Sequence, residues 1–400
     1  MRNLTLRYGV TQFTYWAASS GAMAFATTYL LTKNVPAGTV GLVLALAGLL
    51  SCLTQPLLAA LADRAERCIL PQMLLAMSVF CCVCFAAQFI PSLPLAPLTI
   101  LYAAAIWCSD AILPLLSALS VACNDAGYRV NFGAARGVAA AASALSMIAV
   151  GFLIARLGFA WMLAFLLVAR VICAVSLCTY PRLQKPPAAH AEADTSCSVS
   201  QFFARYPRYC VSLLGVAFLG MFHCMTENYL IAIVTPLGGD SSTVGTALFI
   251  SSLVAGPVIF FFSRIRSRLS DAAILKLAGV SFLVKAVGFL LARSLGAIYA
   301  LELLQLTSYG LLAPAQVYYA SSMVRAADMV KGQAFITAFY ALGCAAGNFA
   351  GGQLLGYGVR AILLAGIAMA AAGTLILFCT VQKPEKSTEE ARDADPAAAP

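Results

Sequence analysis

Gln55-Pro56 is followed seven residues later by Asp63-Arg64-Ala65-Glu66-Arg67, and this pattern has a counterpart about 200 residues further along the chain. There, Gly256-Pro257 is followed seven residues later by Arg264-Ile265-Arg266-Ser267-Arg268. Two more pairs recur at a similar offset: Asp110-Ala-Ile-Leu-Pro114 with Gly310-Leu-Leu-Ala-Pro314, and Asn131-Phe-Gly133 with Val330-Lys-Gly332. A tandem repeat of this length in a hydrophobic chain predicts two like-oriented membrane bundles that face each other across a central path.

The composition of the chain is typical of a membrane protein. It has 400 residues, of which 62% are hydrophobic and only 10% are charged, whereas a soluble domain has about 25% charged residues. A helix needs about 20 apolar residues to span the hydrocarbon core. Twelve stretches meet this requirement: 8–32, 38–61, 70–90, 95–121, 134–156, 158–180, 209–236, 242–262, 272–292, 296–323, 332–355 and 360–381.

These stretches predict an all-α membrane protein with twelve transmembrane helices in two pseudo-symmetric six-helix bundles. We expect residues 1–180 to form the N-terminal bundle and residues 209–381 the C-terminal bundle. The polar, Pro-rich segment 181–208 is predicted to be a cytoplasmic linker, and the charged, Ala/Pro-rich segment 382–400 a disordered cytoplasmic tail.

The net charge of +9 reflects membrane topology rather than nucleic-acid binding. Most Lys and Arg residues lie at the helix ends and loops of one side, and only Lys33, Arg156, Arg293 and Arg360 lie on the other. The positive-inside rule then predicts that both termini are cytoplasmic in a multi-pass protein of the cell membrane.

No segment outside the membrane is long enough for a soluble catalytic domain, so we expect a protein that is not an enzyme. Cys81-Cys82-Val83-Cys84 resembles a metal-binding sequence, but no His or carboxylate lies nearby. We therefore expect no metal and no cofactor.

Several ionisable residues lie inside predicted membrane helices. Such a side chain costs at least ~2.5–3.5 kcal/mol on insertion scales, so it is functional or paired by default. Apart from one histidine, these residues are three acids and three bases, a balance that favours mutual neutralisation in a wet central cavity. They are Asp110, Arg136, Arg170, His223, Glu227, Lys285 and Glu302.

In the N-terminal half, Asp110 is a candidate for solute binding or proton transfer, with a structural ion pair to Arg136 as the alternative. Arg136 is a candidate solute ligand because a guanidinium is planar and always charged. The alternative is an arginine that reaches the membrane interface. The sequence offers no clear partner for Arg170.

In the C-terminal half, His223 and Glu227 are four residues apart and therefore share a helix face, where they could relay protons or form a polar gate. A buried lysine must find an acid, so Lys285 is predicted to pair or to take part in proton coupling. Glu302 and Gln305, with Ser308, form a polar stripe that we expect to face the cavity, unless Glu302 reaches the outer water.

Aromatic and amide side chains provide further candidate solute ligands. Gln12, Tyr15 and Trp16 form one cluster, Tyr318 belongs to a second, and Asn228 follows Glu227. Rings with a polar tip suit sugar faces and aromatic ligands, although aromatic residues in helices also pack or anchor at the interface.

The chain resembles the major facilitator superfamily in its twelve predicted helices, its 6+6 repeat and its central cytoplasmic loop. Asp63-Arg64-Ala65-Glu66-Arg67 resembles the superfamily loop motif Asp-Arg-x-Gly-Arg, with Glu66 in place of glycine. The resemblance implies a gating role for Asp63, Arg64 and Arg67.

Within that superfamily, Asn131-Phe-Gly-Ala-Ala-Arg-Gly137 resembles a signature of the lactose permease and phenylpropionate permease group, which implies that Arg136 binds solute. Val284-Lys285-Ala-Val-Gly288 is similar to the ninth-helix segment of that group, with Lys285 in place of arginine. The tenth-helix His and Glu of lactose permease fall on Gln305 and Ser308, so its coupling chemistry does not carry over.

These observations predict a secondary active transporter that moves a saccharide, nucleoside or aromatic acid by alternating access as a proton symporter. Its expected partners are the solute, protons and the lipid bilayer, and we expect a monomer. The coupled proton would be held by Glu227, Glu302 or Asp110. The alternatives are an efflux antiporter for drugs or sugars and, more remotely, a membrane sensor that does not transport.

Overall fold

The computed structural model describes residues 4–65, 67–181, 183 and 197–382. The predicted tail beyond Gln382 and most of the predicted linker lie outside these residues, as does Glu66 of the loop motif. The regular structure is helical, as predicted. The helices are α1 Thr5–Ala24, α2 Ala26–Thr32, α3 Ala37–Arg64, α4 Leu70–Ala87, α5 Leu95–Asp125, α6 Phe132–Leu157, α7 Phe159–Cys178, α8 Val199–Arg205, α9 Pro207–Glu227, α10 Leu230–Val234, α11 Ser241–Phe260, α12 Phe262–Arg266, α13 Asp271–Leu291, α14 Leu295–Glu302, α15 Tyr309–Met323, α16 Met329–Leu355 and α17 Val359–Thr380.

Eleven helical stretches of the described chain are long and apolar enough to cross a membrane. The remaining membrane segment is the first one, which the structure divides into α1 and α2 at Phe25. Its repeat counterpart, the seventh segment, divides in a similar way, because α9 ends at Glu227 and α10 begins at Leu230. The two helical repeats therefore share both their order and this break.

The repeat fails at the tenth segment. Its counterpart in the first half, α5, is one continuous helix that contains Pro114. The tenth segment instead consists of α14, a 3₁₀ turn at Leu303–Leu306, and α15. A break at membrane depth frees backbone groups and redirects side chains, so it indicates that this segment has a different role from its counterpart α5.

The two halves touch through α3 with α16 and through α6 with α11. A Cβ atom on Gly41 would lie 2.5 Å from the carbonyl oxygen of Asn348 and 2.8 Å from the Cα of Gly352. A Cβ on Gly151 would lie 2.9 Å from the Cα of Gly245. Only glycine allows backbones to approach this closely. These contacts lie toward the membrane face opposite the chain ends, which we call the opposite face; the other is the terminal face.

The halves separate toward the terminal face. Of the first ten residues of α6, 132–141, only Ala135 and Ala139 are buried. Arg136 is exposed within this stretch. From these contacts and this exposure we infer that the halves are closed at the opposite face and that a central cavity between them opens toward the terminal face.

The described end of the linker is fixed to the C-terminal half by Asp328, just before α16. Its carboxylate accepts hydrogen bonds from the backbone N–H of Cys197 at 2.8 Å and from the hydroxyl of Tyr206 at 2.9 Å. Arg205 lies 3.8 Å away. Bonds from the side chain and backbone of Cys197 hold the pKa of Asp328 at about 2. Helix α8 is thereby held against the start of α16.

Candidate functional site

The centre of the C-terminal half contains a buried ion pair. The Nζ atom of Lys285 on α13 lies 2.7 Å from Oε2 of Glu302, at the end of α14, and both side chains are 1% exposed. Lys285 also donates to Oε1 of Gln305 at 3.0 Å. The 3₁₀ turn after Glu302 places Glu302 and Gln305 on the same ammonium group. Glu302 therefore pairs with Lys285 and does not reach the outer water.

Hydrogen bonds connect this pair to a second acid, Glu227. Gln305 Nε2 donates to Glu227 Oε1 at 3.3 Å, and the hydroxyl of Ser251 on α11 donates to the same oxygen at 3.4 Å. Nδ1 of His223 lies 3.5 Å from it. The side chains of His223 and Glu227 are 12% and 22% exposed, so they form the accessible end of this series of hydrogen-bonded side chains. We call these six residues the Lys285 network.

The Lys285 network has an unbalanced charge. When both acids are ionised and His223 is neutral, Glu227 and Glu302 provide two negative charges and Lys285 one positive charge. One bound proton makes the network neutral. Burying net charge in a low-dielectric region costs several kcal/mol, so a proton-binding step here has a large effect on the surrounding structure.

One oxygen of this network has no partner. Oε1 of Glu302 is buried and accepts no hydrogen bond from the residues that the structure describes. A buried carboxylate oxygen without a donor is costly, unless it holds a proton or meets a donor in another conformation.

The N-terminal half provides a ladder of polar aromatic side chains along α1. Gln12 Nε2 donates to the hydroxyl of Tyr8 at 2.7 Å, and Trp16 Nε1 donates to Gln12 Oε1 at 3.1 Å. The hydroxyl of Tyr15 donates to the Ser109 carbonyl at 2.7 Å, and its ring meets Trp16 edge-to-face. Gln12 and Tyr15 are buried, so Trp16 is the member of this cluster that remains partly accessible.

Arg136 lies near both halves at the open end of the cavity. Its charge acts on Tyr8 of α1 and on Tyr309 of α15. Glu227 also acts on Tyr309, and the ring of Tyr309 stacks on His223 with a centroid distance of 5.2 Å. Tyr309 is therefore within electrostatic range of both the Arg136 guanidinium and the Glu227 carboxylate.

Asp110 does not pair with Arg136. Within the described chain no base lies within 4.0 Å of its carboxylate. The charged group that acts on it is Arg170, a fully buried arginine on α7. Nη2 of Arg170 donates to the hydroxyls of Ser19 and Ser109, and its guanidinium carbon lies 4.9 Å from the ring centroid of Tyr15.

Two candidate solute ligands lie elsewhere. Asn228 donates to Asn348 at 2.6 Å, beside the glycine contacts that close the opposite face. Tyr318 stacks on Phe262 at 5.5 Å, and Arg266 lies 4.4 Å above its ring.

The loop-motif residues also lie away from the Lys285 network. Asp63 and Arg64 form the last turn of α3, and Arg67 lies just beyond it; all three are exposed. Their position is the terminal-face end of the N-terminal half.

Two surface clefts lie at the opposite face, at equivalent places in the two halves. One, of about 390 Å³, is lined by Tyr29, Lys33 and Phe159, and the other, of about 450 Å³, by Ile233, Phe289 and Arg360. Neither is lined by a member of the Lys285 network, and both lie away from the open end of the cavity. We therefore assign no solute site to them.

Some residues of the site did not emerge from the sequence. Ser251 and Tyr309 contact the network but are ordinary residues of apolar helices, and only their position in space identifies them. Within the described residues no group of three or more His, Cys, Asp or Glu side chains could hold a metal ion.

The chain matches the model of the MFS_1 like family over residues 5–364. Its fold is similar to that of a mutant of the nucleoside transporter NupG, with a TM-score of 0.79 and 13% identity over 94% of this chain and 99% of that chain. An auto-inhibited peptide transporter of the POT family gives a TM-score of 0.69 and 11% identity over 94% and 95% of the two chains.

A bacterial homologue of the lysosomal transporter Spinster, in an inward-facing and occupied conformation, gives a TM-score of 0.63 and 13% identity over 94% of each chain. No curated protein matches the chain. At these identities the likeness shows the fold, and it confirms the predicted twelve-helix architecture. The matched proteins are transporters and not enzymes.

Proposed function

Because this chain belongs to the MFS_1 like family and is therefore a multi-pass membrane transporter of the major facilitator type, we propose that it couples the movement of a small polar solute to protons. The observation that supports this proposal is the Lys285 network. Two acids share one lysine, and the outermost acid, Glu227, is accessible at its cavity end.

The coupling follows from electrostatics. A proton bound at Glu227 removes the excess negative charge of the network. Glu227 then no longer attracts the Lys285 ammonium group, to which it is connected by Gln305, and Glu302 alone pairs with Lys285. A solute that donates a hydrogen bond to Oε2, the other carboxylate oxygen of Glu227, partly offsets the same negative charge. Solute and proton then favour the same rearrangement of the broken tenth segment, which is the requirement for symport.

We propose a nucleoside as the first candidate solute, with saccharides and aromatic acids as the others. Arg136 provides paired donors for acceptor oxygens, and the stacked rings of His223 and Tyr309 provide an aromatic surface. Trp16 provides a second ring on the opposite wall. The solute of NupG is a nucleoside by name, and this likeness supports the order of candidates.

In the proposed cycle, the bundles 1–180 and 209–381 rock about the central site as a monomer. The arrangement that we describe is then the state open to the terminal face. If the positive-inside prediction holds, that face is cytoplasmic, the membrane is the cell membrane, and the state is inward-facing.

The test is uptake of radiolabelled uridine, of lactose and of phenylpropionate into proteoliposomes, with an imposed pH gradient and with the gradient collapsed by an ionophore. We expect one solute to accumulate only with the gradient. In Glu227→Gln, accumulation is lost while exchange of internal for external solute continues. The control is Asp271→Asn, since Asp271 pairs with Arg266 outside the network. Accumulation that ignores the gradient would contradict proton coupling.

A further inference from the structure

Arg170 is fully buried on α7, and the proposed coupling does not use it. Within the described chain only its Nη2 group has acceptors, the hydroxyls of Ser19 on α1 and Ser109 on α5. Nε and Nη1 are buried, and neither finds an acceptor among the described residues. A guanidinium has five N–H donors, so a large part of this one is unsatisfied.

Within the described chain no carboxylate lies within 4.0 Å of the Arg170 guanidinium. Besides the ring of Tyr15 on α1, the titratable groups on which it acts most strongly are three thiols: Cys81 on α4, Cys108 on α5 and Cys173 on α7. A neutral thiol is a weak acceptor. A buried positive charge that has neither a counter-charge nor a full set of acceptors is unfavourable and requires a partner.

Asp110 is the acid that can be this partner. It follows Ser109, which already accepts from Arg170. Its backbone carbonyl accepts from Gln55 of α3 at 3.1 Å, which fixes the position of its main chain. Its carboxylate is half-buried and makes no hydrogen bond or ion pair within the described chain.

The titratable groups that interact with Asp110 belong to both halves of the protein. Arg170 and Cys81 act on its carboxylate, and Tyr15 lies within range of both charges. Asp110 in turn acts on Cys52 of α3 and on Cys224 of α9 in the other half. The partly exposed carboxylate is thus within electrostatic range of a buried base and of a thiol in the other half.

We propose that Asp110 and Arg170 form a second proton site, in the N-terminal half. When its carboxylate is ionised, Asp110 pairs with the free N–H groups of Arg170. When the carboxylate takes up a proton from the cavity water, it leaves Arg170 and faces the cavity, as in the state that we describe. Arg170 is a positioning residue, because it acts through Asp110 and does not reach the cavity.

This inference rests on the proposed proton coupling for its role in transport, but it can be tested without any solute. The chain has three tryptophans, and Trp107 lies three residues before Asp110 on α5, where it donates to Thr54 at 2.8 Å. A Trp16→Phe/Trp161→Phe variant leaves Trp107 as the reporter. Its fluorescence is followed in purified protein from about pH 4 to about pH 9, the range in which carboxyl groups of proteins titrate.

We expect one transition that disappears in Asp110→Asn. In Arg170→Gln its midpoint moves to higher pH by about one unit or more, because a nearby positive charge has been removed. Arg170→Lys retains that charge and keeps the midpoint near that of the parent. Glu227→Gln, which tests the proposed function, leaves the transition in place, so failure of one proposal is distinguishable from failure of the other.

Thermal unfolding of the same proteins provides a second measurement. Asp110→Asn leaves the buried guanidinium without its acid, so its unfolding temperature falls. The double variant Asp110→Asn/Arg170→Gln unfolds at a higher temperature than Asp110→Asn alone. The proposal is overturned by a parent protein without a transition, by a transition that persists in Asp110→Asn, by an unchanged midpoint in Arg170→Gln, or by a double variant that is less stable than both single ones.

Discussion

Replacement of Lys285 by methionine removes the positive charge at the centre of the network. Its ammonium group lies 2.7 Å from Glu302 and 3.0 Å from Gln305, and both charged side chains are 1% exposed. Methionine keeps much of the side-chain volume but donates no hydrogen bond. Since Oε1 of Glu302 already has no donor among the residues that the structure describes, the variant leaves neither carboxylate oxygen with a donor from them.

Loss of one partner from a buried ion pair costs about 3–5 kcal/mol, because the remaining charge is uncompensated. A domain of about 150–250 residues loses about 2–4 °C of unfolding temperature per kcal/mol. We therefore expect Lys285→Met to unfold at least roughly 6 °C below the parent protein. The measurement is thermal unfolding in detergent, followed by light scattering.

Two further variants make this prediction specific. Lys285→Met/Glu302→Leu removes both charges, and replacement of a buried pair by apolar residues is often neutral, so most of the loss is recovered. Lys276→Met is the control on the same helix, where the ammonium group lies 5.5 Å from the ring of Phe378. Its loss is about 1 kcal/mol or less. Equal losses in Lys285→Met and Lys276→Met, or a double variant with summed losses, would refute the reasoning.

Three other predictions concern the closed face, the linker and the cavity. Gly41→Val places a Cβ 2.5 Å from the Asn348 carbonyl and forces α3 and α16 apart at the opposite face, so we expect faster hydrogen exchange in both helices there. Gly48→Val is the control on the same helix, where a Cβ meets open space, and we expect no change in exchange. The pKa of Asp328 is held at about 2, below its unfolded value of about 3.9, so its contribution to stability is full above that value and disappears as the pH falls through 2. Asp328→Asn removes the charge at neutral pH, and we expect faster trypsin cleavage in the linker; unchanged cleavage would contradict the anchor. Arg136→Ala abolishes the rise in unfolding temperature caused by solute but leaves the free protein as stable as before, because Arg136 is exposed; unchanged solute affinity would remove it from the site.

The repeat made the helical order predictable, because the prolines recur where both halves contain equivalent helices. Pro56 and Pro257 both lie inside helices, as do Pro114 and Pro314. The broken tenth segment was not predictable in the same way. Leu303–Leu306 contains no glycine or proline, and the turn brings Glu302 and Gln305 to Lys285, a contact formed only in the folded protein.

The charged site was predictable in type but not in pairing. A buried lysine needs an acid, yet three acids were available to Lys285, and only the packing of α13 against α14 selects Glu302. Arg170 had no visible partner because its acceptors, Ser19 and Ser109, are distant in sequence and carry no charge. The sequence allows an ion pair of Asp110 with Arg136, whereas in the structure the charged group that acts on Asp110 is Arg170.

The most direct test of the account counts protons during transport. Proteoliposomes with an internal pH indicator, and with no imposed gradient, receive uridine or whichever screened solute binds. Proton symport predicts that solute entry acidifies the lumen in the parent protein and that Glu227→Gln exchanges solute with no change in pH. Solute entry without acidification in the parent, or equal acidification in Glu227→Gln, would contradict a proton carried at Glu227.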